Sequence, residues 1–183
     1  MLSVDLGIAP VEPYMGILLR AAESADAMSV ACVHVRSWQS AYRGLLPKEY
    51  LDQLRPEERA QVYDFATRDP RKAQTIVAVE AGLIRGFATT APSRDQDLAG
   101  HGELCALYVD PDYWGRGMGM ALVSAARDRL VGMGFTNALL WVLIGNVRAD
   151  RFYQNDQWRP DGLQRTDTVW GVTVNEIRYQ RKL

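Results

Sequence analysis

Glu103-Leu104-Cys105-Ala106-Leu107-Tyr108-Val109-Asp110-Pro111, followed after Asp112 by Tyr113-Trp114-Gly115-Arg116-Gly117-Met118-Gly119-Met120-Ala121-Leu122, is the stretch on which the fold turns. Its first half is rich in apolar and aromatic residues and reads as a strand ended by Asp110-Pro111. Its second half is a glycine-rich turn opening a helix that runs to about Val131, with Gly132 and Gly134 as stop signals. Strand, glycine turn and helix together can grip an anion. The glycines let backbone N–H groups approach, and the helix N-terminus adds a partial positive charge. A P-loop is excluded, because no Lys-Ser/Thr pair follows the glycines. The dinucleotide fingerprint G-x-G-x-x-G also fails: counted from Gly115 its third glycine place holds Met120, and counted from Gly117 it holds Leu122. A glycine turn that binds nothing is the plain alternative.

Upstream, residues 16–21 are β-like, and Ser24 or Asp26 can cap a helix. Met28, Ala31, Cys32, Val35 and Trp38 follow the spacing of a buried helical stripe, which leaves His34 off it. Pro47 starts a second short helix. Pro56-Glu57-Glu58 starts a third, with the acidic first turn that a helix dipole favours, running to about Thr67. Residues 75–79 and 83–88 form a hairpin turned at Glu80-Ala81-Gly82. Downstream, residues 137–143 are a strand, and Asn146 caps a helix ending near Asn155. Two strands, near residues 163–166 and 173–181, close the chain. The order β-α-α-α-β-β-β-α-β-α-β-β implies a mixed α/β sheet with helices on its faces. Within the central strand Leu107 and Val109 share one parity and Leu104 has the other, as a β-bulge produces.

The chain has 183 residues, which suits one domain over 15–183 behind a loose extension over 1–14. Hydrophobic residues make up 48% and charged residues 23%, the balance of a soluble domain able to bury one core. The formal net charge of -1 argues against a nucleic-acid binder. No stretch approaches the ~20 apolar residues of a membrane span, and no secretory signal pattern stands at the start, so the expected location is cytoplasmic. Cys32 and Cys105 sit in apolar runs and read as buried free thiols. No His/Cys/Asp/Glu cluster has metal-ligand spacing, so no metal is expected.

The central stretch resembles the acetyl-CoA motif of the GNAT superfamily of N-acetyltransferases, [Q/R]-x-x-G-x-[G/A], with Gly117 and Gly119 in the glycine places and Trp114 where Gln or Arg is usual. Downstream, Leu140-Trp141-Val142-Leu143, Asn146, Ala149, Phe152-Tyr153 and Trp158 resemble the next motif of that family, N-x-x-A-x-x-F-Y, with Gln157-Trp158 in place of a glycine–aromatic pair. The segment from Trp38 to Pro47 is similar to uncharacterised bacterial members. The resemblance implies a mixed, mostly antiparallel central sheet with helices on both faces and a splayed, bulged central strand. It also implies direct transfer of the acetyl group of acetyl-CoA to the primary amine of a small molecule. A protein or peptide N-acetyltransferase and a non-catalytic acyl-CoA sensor are the alternatives, and a homodimer is the implied assembly.

For the residues, the resemblance implies that backbone N–H groups of Trp114, Gly115, Arg116, Gly117, Met118, Gly119 and Met120 hold the pyrophosphate. The pantetheine arm would lie along Leu107, Tyr108 and Val109, with Asn146 a further contact. Arg116 either reaches a phosphate or is solvated. A backbone N–H at the bulge, that of Leu107, would receive the carbonyl oxygen. Tyr153 would protonate the leaving thiolate, unless it is a packing aromatic beside Phe152. Glu103 would be the base, acting through water, unless it is a surface carboxylate; His101 lies near enough to share that task. Trp38, Tyr42, Arg43 and Trp170 would border the acceptor amine, unless Trp38 is ordinary core.

Overall fold

The computed structural model describes residues 16–67, 69 and 71–183; the expected extension over 1–14 lies outside them. The first strand, β1 (Leu18–Ala21), leads through a one-turn 3-10 segment into α1 (Ala27–Ala41), α2 (Lys48–Gln53) and α3 (Pro56–Ala60). The hairpin β2 (Gln74–Glu80) and β3 (Leu83–Pro92) follows, then β4 (Gly102–Val109), α4 (Met118–Gly132), β5 (Asn137–Leu143), α5 (Val147–Asn155), β6 (Arg159–Val169) and β7 (Val172–Lys182). Among the described residues these strands form one seven-stranded sheet in the order β1-β2-β3-β4-β5-β7-β6. Every neighbouring pair is antiparallel except β4 and β5. No helix among the described residues is long and apolar enough to cross a membrane.

Strand alternation sends side chains to opposite faces of the sheet. Ile76 and Ala78 pack with Leu122, Val123 and Leu130 of α4, whereas Val77 and Phe87 pack with Val30 and Val33 of α1. The sheet is therefore sandwiched between helices. The parity change expected in β4 is present. Thr89 faces Ala106 and Thr90 faces Leu104, so Cys105 is the extra residue of a bulge. That single insertion puts Leu104, Leu107 and Val109 on the α4 face while Ala106 and Tyr108 turn to the α1 face.

The parallel pair is brief. β4 meets β5 only at Gly102↔Ala138 and Glu103↔Leu139, after which the strands part. Gly102 matters here for space: a Cβ on it would lie 2.6 Å from Leu130 Cδ2 and 3.1 Å from Leu130 Cδ1. Leu130 is fully buried, so it can give way only by shifting inside the core. Gly102→Ala is accordingly expected to lower stability by about 1–3 kcal/mol, read as a lower denaturant midpoint with an unchanged slope.

Three sequence expectations are corrected. The third helix ends at Ala60 and not near Thr67, because Tyr63 and Phe65 leave the helix to stack on one another with ring centroids 5.0 Å apart, a spacing of two that suits extended chain. The closing strands are longer than 163–166 and 173–181; β6 is an edge strand whose side chains are nearly all exposed, so it carries no apolar alternation to read. In α1, Met28 is 45% exposed and Cys32 half-buried, while His34 is buried. The helix lies against both the sheet and α3, so its buried face is wider than one stripe.

Candidate active site

The turn before α4 is built by two left-handed glycines, Gly115 at φ 76° and Gly117 at φ 81°, the second being the helix N-cap. A side chain at either place would be strained, and the chain needs both to reverse so tightly. The first helical hydrogen bond to Gly117 comes from Ala121 N (3.0 Å), so the N–H groups just before it lack helical partners. Gly119 lets α5 come close: a Cβ there would lie 3.2 Å from Phe152 Cε2. Asn146 caps α5 by accepting a hydrogen bond from Ala149 N at 3.1 Å.

Trp114 donates its indole N–H to Val109 O at 2.7 Å, which pins the ring beside the turn. The Arg148 guanidinium lies 3.6 Å from the centre of that ring. A cation from the first turn of α5 thus stands over the ring at position 114, a placement that sequence reading missed. Arg148 has no carboxylate within ion-pair distance among the described residues.

Where β4 and β5 part, a cavity of about 1110 Å³ passes through the sheet. This exceeds the ~300–1,000 Å³ typical of small-ligand pockets. On the α4 face its walls include Trp114, Gly117, Gly119, Phe152 and Tyr153; on the α1 face they include His34, Trp38, Tyr42, Tyr108 and Trp170. Leu107, Val109, Met120 and Asn146 also line it. Three phenols converge at the opening. Tyr42 and Tyr108 have their hydroxyls 3.4 Å apart, and Tyr108 raises the phenol of Tyr153 electrostatically. Burial, followed by Tyr108 and Asp156, holds the Tyr153 phenol well above the ordinary range.

Glu103 is 3% exposed and borders the cavity at the seam. Arg94 Nη2 donates to its Oε1 at 2.7 Å, while Arg94 Nε and backbone N both donate to Oε2 at 3.3 Å. A carboxylate has about four lone-pair sites, so one remains, on Oε1. His101 is not part of the cavity wall.

Trp38, Tyr42 and Trp170 do come together. Trp38 lies 5.0 Å from Tyr42 and 4.6 Å from Trp170, centroid to centroid. Arg43 does not join them: it is exposed and bridges to Leu46 in the turn after α1. Met118 is buried in the core, and Arg116 sits outside the cavity with its guanidinium 4.9 Å from the Tyr113 ring centre. Cys105 is not buried in the core either, because the bulge turns it toward the cavity. There the enclosing protein, followed by the Glu103 charge, pushes its thiol up to about 12. A thiol so protonated at neutral pH is a poor nucleophile.

His34 was the clearest omission. It stacks between Tyr108 (4.3 Å) and Trp170 (4.5 Å), and its Nδ1 lies 2.6 Å from Tyr63 Oη. Burial, with Arg59 adding, holds it well below the ordinary histidine value, so it is neutral at pH 7. Its position four residues before Trp38 on one helix face was the available signal.

A mixed sheet pried open at a short parallel pair, with a glycine turn at one mouth and an aromatic wall at the other, defines a two-substrate group-transfer enzyme. A family model described as "Acetyltransferase (GNAT) family" matches residues 35–157, and the chain belongs to that family. It is 30% identical over 162 residues to the uncharacterized N-acetyltransferase YuaI of Bacillus subtilis, covering 88% of this chain and 90% of that one. The fold is similar to PaiA N-acetyltransferase from Thermoplasma acidophilum, solved with coenzyme A (TM-score 0.67, 18% identity, 91% of this chain and 99% of that one). It is equally similar to YncA from Salmonella typhimurium, a putative acetyltransferase solved with acetyl-CoA (TM-score 0.67, 16% identity, 91% and 93% covered). The protein is an acyl-CoA-dependent N-acetyltransferase.

Proposed function

We propose that this acetyltransferase moves the acetyl group of acetyl-CoA directly to the primary amine of a small molecule. The observation that carries the reading is the aromatic wall that Trp38, Tyr42 and Trp170 form on the α1 face of the cavity, the kind of lining that suits the apolar body of a small acceptor. The glycine turn, the unpartnered N–H groups of α4 and the edge of β4 beside the gap suit a ligand with a pyrophosphate and an extended amide chain. The solved relatives that hold coenzyme A or acetyl-CoA support the same cofactor.

Acetyl-CoA supplies an acetyl group activated as a thioester. The chain's own residues do the rest. Backbone N–H groups over 114–120 hold the pyrophosphate, and Arg148 adds a cation against the phosphates. Leu107 and Val109 align the arm along β4, and the Leu107 N–H receives the carbonyl oxygen. Glu103 takes the acceptor's proton through one water on its remaining lone pair, and Tyr153 gives its proton to the leaving sulfur.

The test is release of free thiol from acetyl-CoA against a panel of polyamines, aminoglycosides, amino acids and N-terminal peptides. Turnover with small amines supports the reading; turnover with peptides alone overturns it. Arg148→Ala is expected to raise the KM for acetyl-CoA roughly tenfold, as loss of one charge-assisted contact does, with kcat little changed. Glu103→Gln is expected to lower kcat/KM at pH 7 by about tenfold to a hundredfold. That loss should shrink as the pH approaches the amine's own pKa, where the acceptor arrives already deprotonated.

A further inference from the structure

Among the guanidinium groups lining the cavity, those of Arg94 and Arg165 are spoken for: Arg94 pairs with Glu103 at 2.7 Å and Arg165 with Glu176 at 2.8 Å. Arg148 faces the glycine turn. Arg59, in the last turn of α3, stands on the α1 face of the cavity. Its guanidinium carbon lies 4.4 Å from the Trp170 ring centre and 5.0 Å from that of Tyr63. Among the described residues no carboxylate comes within 4.0 Å of it. Glu57 and Glu58, which precede it in α3, are exposed and form no ion pair with it, and Asp64 on the cavity wall accepts a hydrogen bond from Ala66 N at 3.0 Å. The Nε of Arg59 is buried with no hydrogen-bond partner. Stacking occupies the faces of the guanidinium and the Tyr63 hydroxyl takes one of its N–H groups, which leaves the rest of the N–H edge for a planar anion such as a carboxylate.

Building on the acyl-transfer reading above, we propose that the acceptor is an amine that also carries a carboxylate on a flat apolar body, and that Arg59 holds that carboxylate. His34, stacked on Trp170 and kept neutral, lends ring surface and no competing charge. Trp38 and Trp170 give the flat body its walls. The amine then points through the gap toward Tyr108 and the seam. A cationic amine without an acid group meets an unbalanced guanidinium at this end, so the same residue that attracts the acid repels a polyamine.

The experiment uses the full chain and three probes sharing one ring: phenylalanine, phenylalaninamide and 2-phenylethylamine. The amide and the amine bracket phenylalanine in basicity, so a preference for the acid over both does not come from amine reactivity. Binding to protein saturated with coenzyme A is read by calorimetry, and acetyl transfer by thiol release. The expected result is that phenylalanine binds at least tenfold tighter than either analogue. Arg59→Met is expected to cut that ratio about tenfold, and Arg59→Lys to restore part of it. Equal or weaker binding of the acid by the unaltered protein, or a ratio unchanged in Arg59→Met, overturns the proposal. Preferential binding without transfer would leave Arg59's role standing and count against the transfer reading. Transfer to all three without preference would do the reverse.

Discussion

Tyr153→Phe is expected to lower kcat by roughly 10²–10³-fold, in the range that a positioned general acid contributes. The KM for acetyl-CoA should stay within about twofold, because the lost interaction is made only as the thiolate leaves. The substitution is a clean one. Tyr153 packs edge-on to Phe152 (5.1 Å) and to Trp158 (6.2 Å), contacts that a phenylalanine ring keeps. What disappears is a hydroxyl that burial holds in its protonated form. The sign of the pH dependence follows. The acid must carry its proton, its pKa is raised, and activity that depends on it is lost only as pH rises through that raised value. The pH–rate profile is therefore expected to show no alkaline fall up to about pH 10, the reference phenol value. A kcat unchanged in Tyr153→Phe would remove the role.

The largest effect on stability is expected from Asp156→Ala. Asp156 is 6% exposed and ends α5. Its carboxylate pairs with Arg127 of α4, with Arg181 of β7 at 2.9 Å, and accepts the Trp158 indole N–H at 3.0 Å. One side chain thus ties a helix on one face of the sheet to a strand beyond the gap. Removing it leaves two largely buried guanidinium groups facing each other and an indole N–H unpaired. Breaking a buried ion pair from one side costs about 3–5 kcal/mol. At roughly 2–4 °C per kcal/mol for a chain of this size, the melting temperature should fall by about 6–20 °C. Asp156→Asn, which keeps an acceptor for Trp158, should fall by less. A loss below about 1 kcal/mol would mean that water replaces the carboxylate at little cost, as it does for exposed pairs.

Much of the fold was legible because local rules and global packing agreed. The glycine turn, the capping Asn146 and the parity change in β4 each leave a mark over a few residues, and each is where the sequence puts it. The edge strand β6 left none, since its register with β7 comes from pairing and not from alternation. The place of Gln157 is instructive. It adopts φ 67°, the left-handed backbone that the family's usual glycine takes without strain, so the turn survived the loss of its customary residue while Trp158 went fully into the core. At the site, residues on one strand or one turn were readable. The placement of Arg59, His34 and Arg148 was not, because it depends on which rings and strands they meet across the cavity.

The seam where β4 and β5 share only two residue pairs has a mechanical consequence. Hydrogen bonding in the sheet runs continuously from β1 to β4 and again through β5, β7 and β6, but barely between them. The molecule is close to two sheets leaning on a common core, with a wedge-shaped deficit of backbone partners at their join. On the proposed cofactor pose, a ligand laid in that wedge would act as a missing strand and weld the halves. Its free concentration would then add to stability as RT ln(1 + [L]/Kd), so the resilience of the protein would gauge the acyl-donor supply around it.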